Sequence, residues 1–289
     1  MADEQNDFAR PSPALTPAQR YYLDVFGYVV IENTLEQGQV ERLLEAMYRL
    51  KRDLLATDDP KEARVRGCGL AVFRPHHLHF AHILETDPAV FDYLTHPRLV
   101  GMAEELVGGN VRLEESEAAI NKRNPEEDLQ APARYGFHKG SSYGYGTHEE
   151  NGLFHCNFVK TLTNLTELGP DDGGTVVIAG SHKMDCSRED IIACAYADPT
   201  LIHQVVAPAG STLLFSEALI HATGQVRSDR ERVIVIGGYT PPMFQAWNGQ
   251  EPSAEFIERT PEIYKAFISG SDKWSWKRCY RSLDMPAQE

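Results

Sequence analysis

The sequence contains no run approaching the ~20 apolar residues of a membrane-crossing helix, no Cys-x-x-Cys pair, no internal repeat and no low-complexity tract. The first absence excludes a helical membrane protein. Cysteine is sparse and scattered, at positions 68, 156, 186, 194 and 279. That excludes a disulfide framework or a structural zinc site and predicts reduced thiols in a cytoplasmic protein. Positive charge is also short: 28 Lys and Arg stand against 42 Asp and Glu, a net charge of −14. Such a surface repels phosphate backbones and anionic lipid, which excludes nucleic acid and membranes as partners. Residues 1–19 are polar, lack an apolar signal core and are expected to form a disordered leader.

What the chain does have is length and patterning. Its 289 residues bury enough surface to hold a core without disulfide or metal, and 20–289 reads as a single domain. Thr16-Pro17 offers a cap and a first-turn proline for a helix over 17–25. Val29-Val30-Ile31 reads as a short strand. Val40, Leu43, Leu44, Met47, Leu50, Leu54 and Leu55 recur at helical spacing over 36–56. A second helical stretch runs from Val90 to Val107, broken at His96-Pro97 and ended by Gly108-Gly109. From about residue 111 the texture changes to short strands at 111–122, 133–138, 153–165, 175–179, 202–207, 211–216 and 231–240, separated by Gly, Pro and Asp turns. A short helix is expected at 187–195 and another near 252–269. The pattern predicts an α+β, mainly β protein: an antiparallel barrel or jelly roll over about 111–242, with N-terminal and C-terminal helices packed on it.

Histidine carries the chemistry. Six of the eleven histidines lie in the strand-rich half: His138, His148, His155, His182, His203 and His221. His221 follows the strand that ends near Phe215, and Arg232 opens the next strand. In a barrel this delivers an imidazole and a guanidinium to one cavity. A neutral imidazole suits a first-row metal, and a guanidinium fork suits a carboxylate. The plainer reading is a loop histidine and a solvated arginine. His76, His77, His79 and His82 form a second concentration, read as a pre-barrel loop that lines a lid or the surface. Gly173 to Lys183 is a Gly turn, an apolar strand and a second Gly turn presenting Ser181 and His182.

In order and spacing these features resemble the phytanoyl-CoA dioxygenase family of Fe(II)/2-oxoglutarate oxygenases. Members carry a strand ending in H-x-D, then DGG and GSHK turns, then a distal histidine followed eleven residues later by arginine. Here Asp172-Gly173-Gly174, Gly180-Ser-His-Lys183, and His221 with Arg232 eleven residues on match that order. Phe26-Gly-Tyr-Val-Val-Ile31 is similar to the family's opening, and the resemblance covers roughly residues 20–242. It implies a double-stranded β-helix, a cupin-like jelly roll. It implies Fe(II) as cofactor and 2-oxoglutarate and O2 as co-substrates, with hydroxylation of a small secondary metabolite and release of succinate and CO2. It implies His221 as the distal iron ligand and Arg232 as partner of the far carboxylate of 2-oxoglutarate. Lys122, beside Asn121, and Lys160 are further cationic candidates for that co-substrate.

The proximal motif departs from the family. His138-Lys139-Gly140 supplies the histidine, 83 residues before His221, but glycine stands where the carboxylate belongs. Three readings remain open. Glu149 or Glu150 folds back from the Ser141–Gly152 loop, itself a candidate lid; or His148-x-Glu150 is the proximal pair; or no carboxylate binds and chloride takes the position, as in halogenases of this fold. An inactive ligand-binding module, and a cupin-like isomerase or metal hydrolase, are alternatives of other classes. The metal set expected is His138, His221 and Glu150.

Overall fold

The strand Arg232–Thr240 is buried along its whole length, and its side chains alternate between two apolar surroundings. Val233 and Val235 join the large helix-backed core. Ile234 and Ile236 join Ala119 and Leu162 on the other face. Period-two alternation with both faces apolar is the mark of a central strand covered on both sides. In the computed structural model, which describes residues 14–141, 146–150, 153–246 and 251–272, this strand is β12, the middle of a seven-stranded antiparallel sheet. The order is β1 (Tyr28–Ile31), β10 (Thr212–Ser216), β7 (Val159–Asn164), β12, β4 (Arg112–Asn121), β3 (His77–Ala81) and β2 (Gly69–Arg74).

One face of this sheet is covered by helices α1 (Pro17–Phe26), α2 (Gln37–Leu55), α3 (Pro88–Leu94), α4 (Pro97–Val107) and α7 (Glu262–Ser269), whose buried stripes merge with Val159, Leu214, Val233 and Val235 into one core. The other face meets a three-stranded sheet ordered β11 (His221–Ala222), β8 (Val176–Ile178) and β9 (Ile202–Gln204). Leu213 and Phe215 of the large sheet pack there against Val177, Val205 and Leu219. Helix α5 (Arg188–Ala197) closes the outside of the small sheet through Ile191 and Ala195. A hairpin of β5 (Thr147–Glu150) and β6 (Leu153–Cys156) and the helix α6 (Ala254–Arg259) complete the described elements. The result is the jelly roll of the α+β, mainly β class, with helices on its back. No helix among the described residues is long and apolar enough to cross a membrane.

Four expectations need correction. Residues 14–19 belong to the folded body: Leu15 is fully buried, its amide and that of Ala14 donate to Glu105 Oε2 at 3.0 and 2.7 Å, and Thr16 forms a capping box with Gln19. Residues 133–138 form no strand; only His138 pairs, through a single bridge to His221. The His76–His82 segment is not a loop. It forms β3 and the turn into it, with His77 opposite Asn121 and His79 opposite Ala119 on β4. Buried Leu78 and Phe80 alternate with these histidines, a strand pattern whose second face is imidazole. The 252–269 helix is split in two at Thr260-Pro261. Trp274, Trp276 and residues 142–145 and 151–152 of the Ser141–Gly152 loop lie outside the described residues.

The Gly173-Gly174 turn is dictated by close approach. Gly173 has φ +69°, and a Cβ on Gly174 would collide with the carbonyl oxygen of Val205. Gly174→Ala is expected to cost about 1–3 kcal/mol through overpacking against backbone, read as a lowered urea midpoint. An unchanged midpoint would show that the two segments separate freely.

Candidate active site

His138 and His221 exchange both backbone hydrogen bonds, each 2.9 Å, and their ring centroids stand 4.3 Å apart. Each Nδ1 faces a backbone carbonyl: His138 that of Gly136 at 3.0 Å, His221 that of Leu219 at 2.9 Å. A carbonyl only accepts, so both Nδ1 atoms carry a proton, which leaves Nε2 of each ring as the atom a metal would use. Burial lowers the His221 pKa to about 4, with Glu217 opposing and His138 adding to the shift. The ring is therefore neutral at pH 7, the state a metal requires. The Gly-Ser-His-Lys turn contributes indirectly. Ser181 Oγ accepts from the amide of Ile220 at 2.9 Å and so fixes the residue before His221. His182 turns away, donating from Nε2 to the Asp24 carbonyl at 3.1 Å.

Gly140 packs against the turn that follows β10. Its amide and that of Ser141 donate to the Glu217 carbonyl at 3.0 and 3.1 Å. The Glu217 side chain fills the space beside Gly140: a Cβ there would be 3.0 Å from Cδ and closer still to Oε2. Glu217 is only 4% exposed. Burial pushes its carboxyl upward, but Lys160, His221 and His138 outweigh burial and hold it below the usual range. Lys160 is likewise buried and pairs with both Glu115 and, at 3.4 Å, Glu217. Among the described residues no three His, Cys, Asp or Glu side chains stand close enough to hold an ion as they are. The other carboxylates considered lie on the β5–β6 hairpin. Glu149 is exposed and pairs with Lys183 at 3.4 Å, while Glu150 is placed opposite Leu153. His148 stacks on His155 at 5.1 Å, and His155 is a packed core residue bonded to the Leu106 carbonyl.

Arg232 opens β12 opposite Asn121 and shares the inward face of Ile234 and Ile236. It is 2% exposed. Nη1 donates to Asn121 Oδ1 and Nη2 to Thr175 Oγ1, both at 2.9 Å, while Nε has no partner. Burial lowers its pKa to about 10, so it stays charged, and no carboxylate among the described residues pairs with it. A buried cation without a counter-ion is costly, so the arrangement calls for an anion from outside. A cleft of about 290 Å³ opens beside it, lined by His77, Asn121, Lys122, Gly136 and Gly224, which joins the Arg232 partner Asn121 to the loop carrying His138. Lys122 is half exposed and pairs with Glu231 at 2.9 Å. On the same inward face His79 Nε2 and Glu117 Oε2 stand 2.9 Å apart.

Sequence reasoning brings His138, His221 and Arg232 to this barrel but overlooks Thr175 and Glu217. The available signal for Glu217 is a carboxylate four residues before His221 on the turn leading to it.

Residues 23–234 match the family model described as phytanoyl-CoA dioxygenase (PhyH). The chain is 26% identical over 222 residues to ectoine dioxygenase of Nocardia farcinica, covering 68% of each protein. It is 23% identical over 256 residues to L-proline trans-4-hydroxylase of Streptomyces griseoviridis, covering 79% of this chain and 87% of that one. Among solved structures, HygX from Streptomyces hygroscopicus with nickel and 2-oxoglutarate bound superposes with a TM-score of 0.64 at 22% identity, over 86% of this chain and 95% of that one. The epimerase SnoN from nogalamycin biosynthesis, in complex with Fe3+, alpha ketoglutarate and nogalamycin RO, superposes with a TM-score of 0.56 at 20% identity, over 85% and 90%. At these identities the structures establish a shared fold.

Burial holds His77, His155, His182 and His221 each at a pKa of about 4, against about 6.5 in an unfolded chain. The folded state then binds fewer protons than the unfolded one. The stabilisation is complete above pH ~6.5 and is lost as pH falls toward 4. Calorimetry from pH 7 to 4.5 is expected to show a steadily falling Tm; a flat Tm would contradict neutral buried imidazoles.

Proposed function

The chain belongs to the phytanoyl-CoA dioxygenase family, and on that premise we propose that it is an Fe(II)- and 2-oxoglutarate-dependent oxygenase. It oxidises a C–H bond of a small organic substrate, by hydroxylation, with release of succinate and CO2. The observation that carries this reading is the orphaned Arg232: a buried, fixed guanidinium with a free Nε–H and no counter-ion among the described residues, in the same barrel as two imidazoles whose Nδ1 atoms are held by backbone carbonyls.

The residues present fit both groups. His138 and His221 would hold the iron through Nε2, and Arg232, aided by Thr175, would hold the far carboxylate of 2-oxoglutarate. Once bound, iron and 2-oxoglutarate supply the oxidising chemistry, by activation of O2 coupled to decarboxylation of the keto acid. The protein's part is orientation and exclusion. Asn121 and Thr175 lock the guanidinium fork, so the co-substrate enters in one direction. Ala119, Leu162, Ile234 and Ile236 form an apolar wall that keeps water away. His79 and Glu117 offer a polar contact for the substrate on the same face. The relatives named for ectoine and L-proline support a small polar molecule as substrate. Buried, unpaired Cys68 and Cys156 accord with a reducing, cytoplasmic setting.

Gly140 invites the halogenase reading, but the space a chloride would take adjoins the buried Glu217 carboxylate, which disfavours an anion there. Two imidazoles turned by backbone carbonyls and a buried guanidinium with no carboxylate partner among the described residues disfavour an inactive module.

Anaerobic addition of Fe(II) and 2-oxoglutarate is expected to give a metal-to-ligand absorption band. Arg232→Met should weaken 2-oxoglutarate binding by the ~2–5 kcal/mol of a lost charge-assisted pair, at least about 30-fold, as titrated by that band. His221→Ala should remove the band. Unchanged co-substrate affinity in Arg232→Met overturns the assignment of Arg232. A product mass that gains chlorine in chloride buffer would favour the halogenase.

A further inference from the structure

We propose that Glu217 supplies the carboxylate that residue 140 lacks, at the metal centre formed by His138 and His221. The inference rests on the reading of those two histidines as iron ligands.

Backbone geometry brings the two positions together. Gly140 and Ser141 both donate to the Glu217 carbonyl, so the glycine is anchored directly over the glutamate. The side chain then enters the volume that a residue at 140 would use. Relative to a Cβ on Gly140, Cγ lies at 3.5 Å, Cδ at 3.0 Å and Oε2 nearer still. Ordinary bond lengths place an aspartate's own carboxylate oxygen about 2.4 Å from its Cβ. Glu217 Oε2 is no farther away than that. Glutamate at 217 and aspartate at 140 are thus alternatives for one space, and having both would also crowd two anions together. Glycine at 140 is the companion that Glu217 requires.

Charge points the same way. Among the described residues Lys160 is the one cation paired with Glu115 and Glu217, while nearby Glu114 is matched by Arg112. The Glu115–Lys160–Glu217 group is buried with one formal negative charge in excess, beside the imidazoles of His138 and His221. A divalent cation between them offsets that excess. In the structure the three side chains do not yet converge on one point, because Glu217 leans on Lys160 through Oε1 at 3.4 Å. Ligation exchanges that contact for the metal, by rotation of a side chain one methylene longer than aspartate. This assignment leaves Glu149 with Lys183 and asks nothing of Glu150.

The test measures anaerobic Co(II) binding by calorimetry and by the visible spectrum of the bound ion, on full-length protein. Glu217→Gln keeps the volume and Glu217→Ala removes it; circular dichroism and Tm establish that each is folded. Both are expected to weaken Co(II) binding at least tenfold. Gly140→Asp alone should lower Tm and bind no more tightly than wild type, because the new side chain meets Glu217. The double variant Gly140→Asp/Glu217→Ala should return Co(II) affinity to within a few-fold of wild type. A folded Glu217→Gln protein that binds Co(II) as tightly as wild type overturns the proposal. So does a double variant no better than Glu217→Ala. If wild type binds no Co(II), or His221→Ala binds as well as wild type, the metal centre itself falls and this proposal with it.

Discussion

Two short hydrogen bonds between the backbones of His138 and His221 are the constraint on which the site depends. Residues 133–138 have no ladder of their own, and β11 is only two residues long. The reciprocal pair joins them into one bridge and sets two imidazoles side by side. Everything near that bridge then has a defined place. Ile220 is pinned by Ser181, Gly140 is pinned by the Glu217 carbonyl, and each ring is turned by a carbonyl two residues before it. Side-chain chemistry is thereby ordered by main-chain bonds, which are less sensitive to rotamer exchange than side-chain contacts alone.

Within the barrel, charge is arranged in rows set by strand register. At one end Arg232, Asn121 and His77 lie across β12, β4 and β3. At the other, Gly238 lies between Glu115 and Lys160, with Phe215 beyond. Between them Ile234, Ile236, Ala119 and Leu162 form an apolar patch that borders the His79–Glu117 pair. One end is therefore a cation in need of an anion, and the other an anionic group in need of a cation. The two needs match a dicarboxylate and a divalent metal, and two rows of the sheet keep the charges apart. This interior polarity is independent of the net charge of −14, which belongs mostly to the surface.

The helices were legible because local chemistry marks their ends: Thr16 and Pro17 begin α1, His96-Pro97 divides α3 from α4, and Gly108 ends α4 with a left-handed turn. The strands that carry His221 and Arg232 were legible from apolar runs between turns. β3 was hidden because its inward face is histidine, which reads as polar and loop-like. Glu217 was hidden for a different reason. A search for the partner of Gly140 along the sequence reaches Glu149 and Glu150, whereas the space is filled from 77 residues away by a turn folded back over it. Register and turn geometry, unlike periodicity, are not local properties. Thr175 escaped notice likewise, since its hydroxyl acquires meaning only when β8 faces Arg232.

The Gly-Ser-His-Lys turn also acts as a splice between layers. Gly180 donates to the Phe26 carbonyl, His182 to that of Asp24, and Lys183 to the Asp24 carboxylate, while Ser181 holds the residue before His221. The distal imidazole is thus registered to the C-terminal end of α1, across the sandwich from the sheet that carries Arg232. Any loosening of that first helix is transmitted to the His221 ring through four adjacent residues. The site therefore shares the thermal fate of the amino-terminal helix as well as that of the barrel.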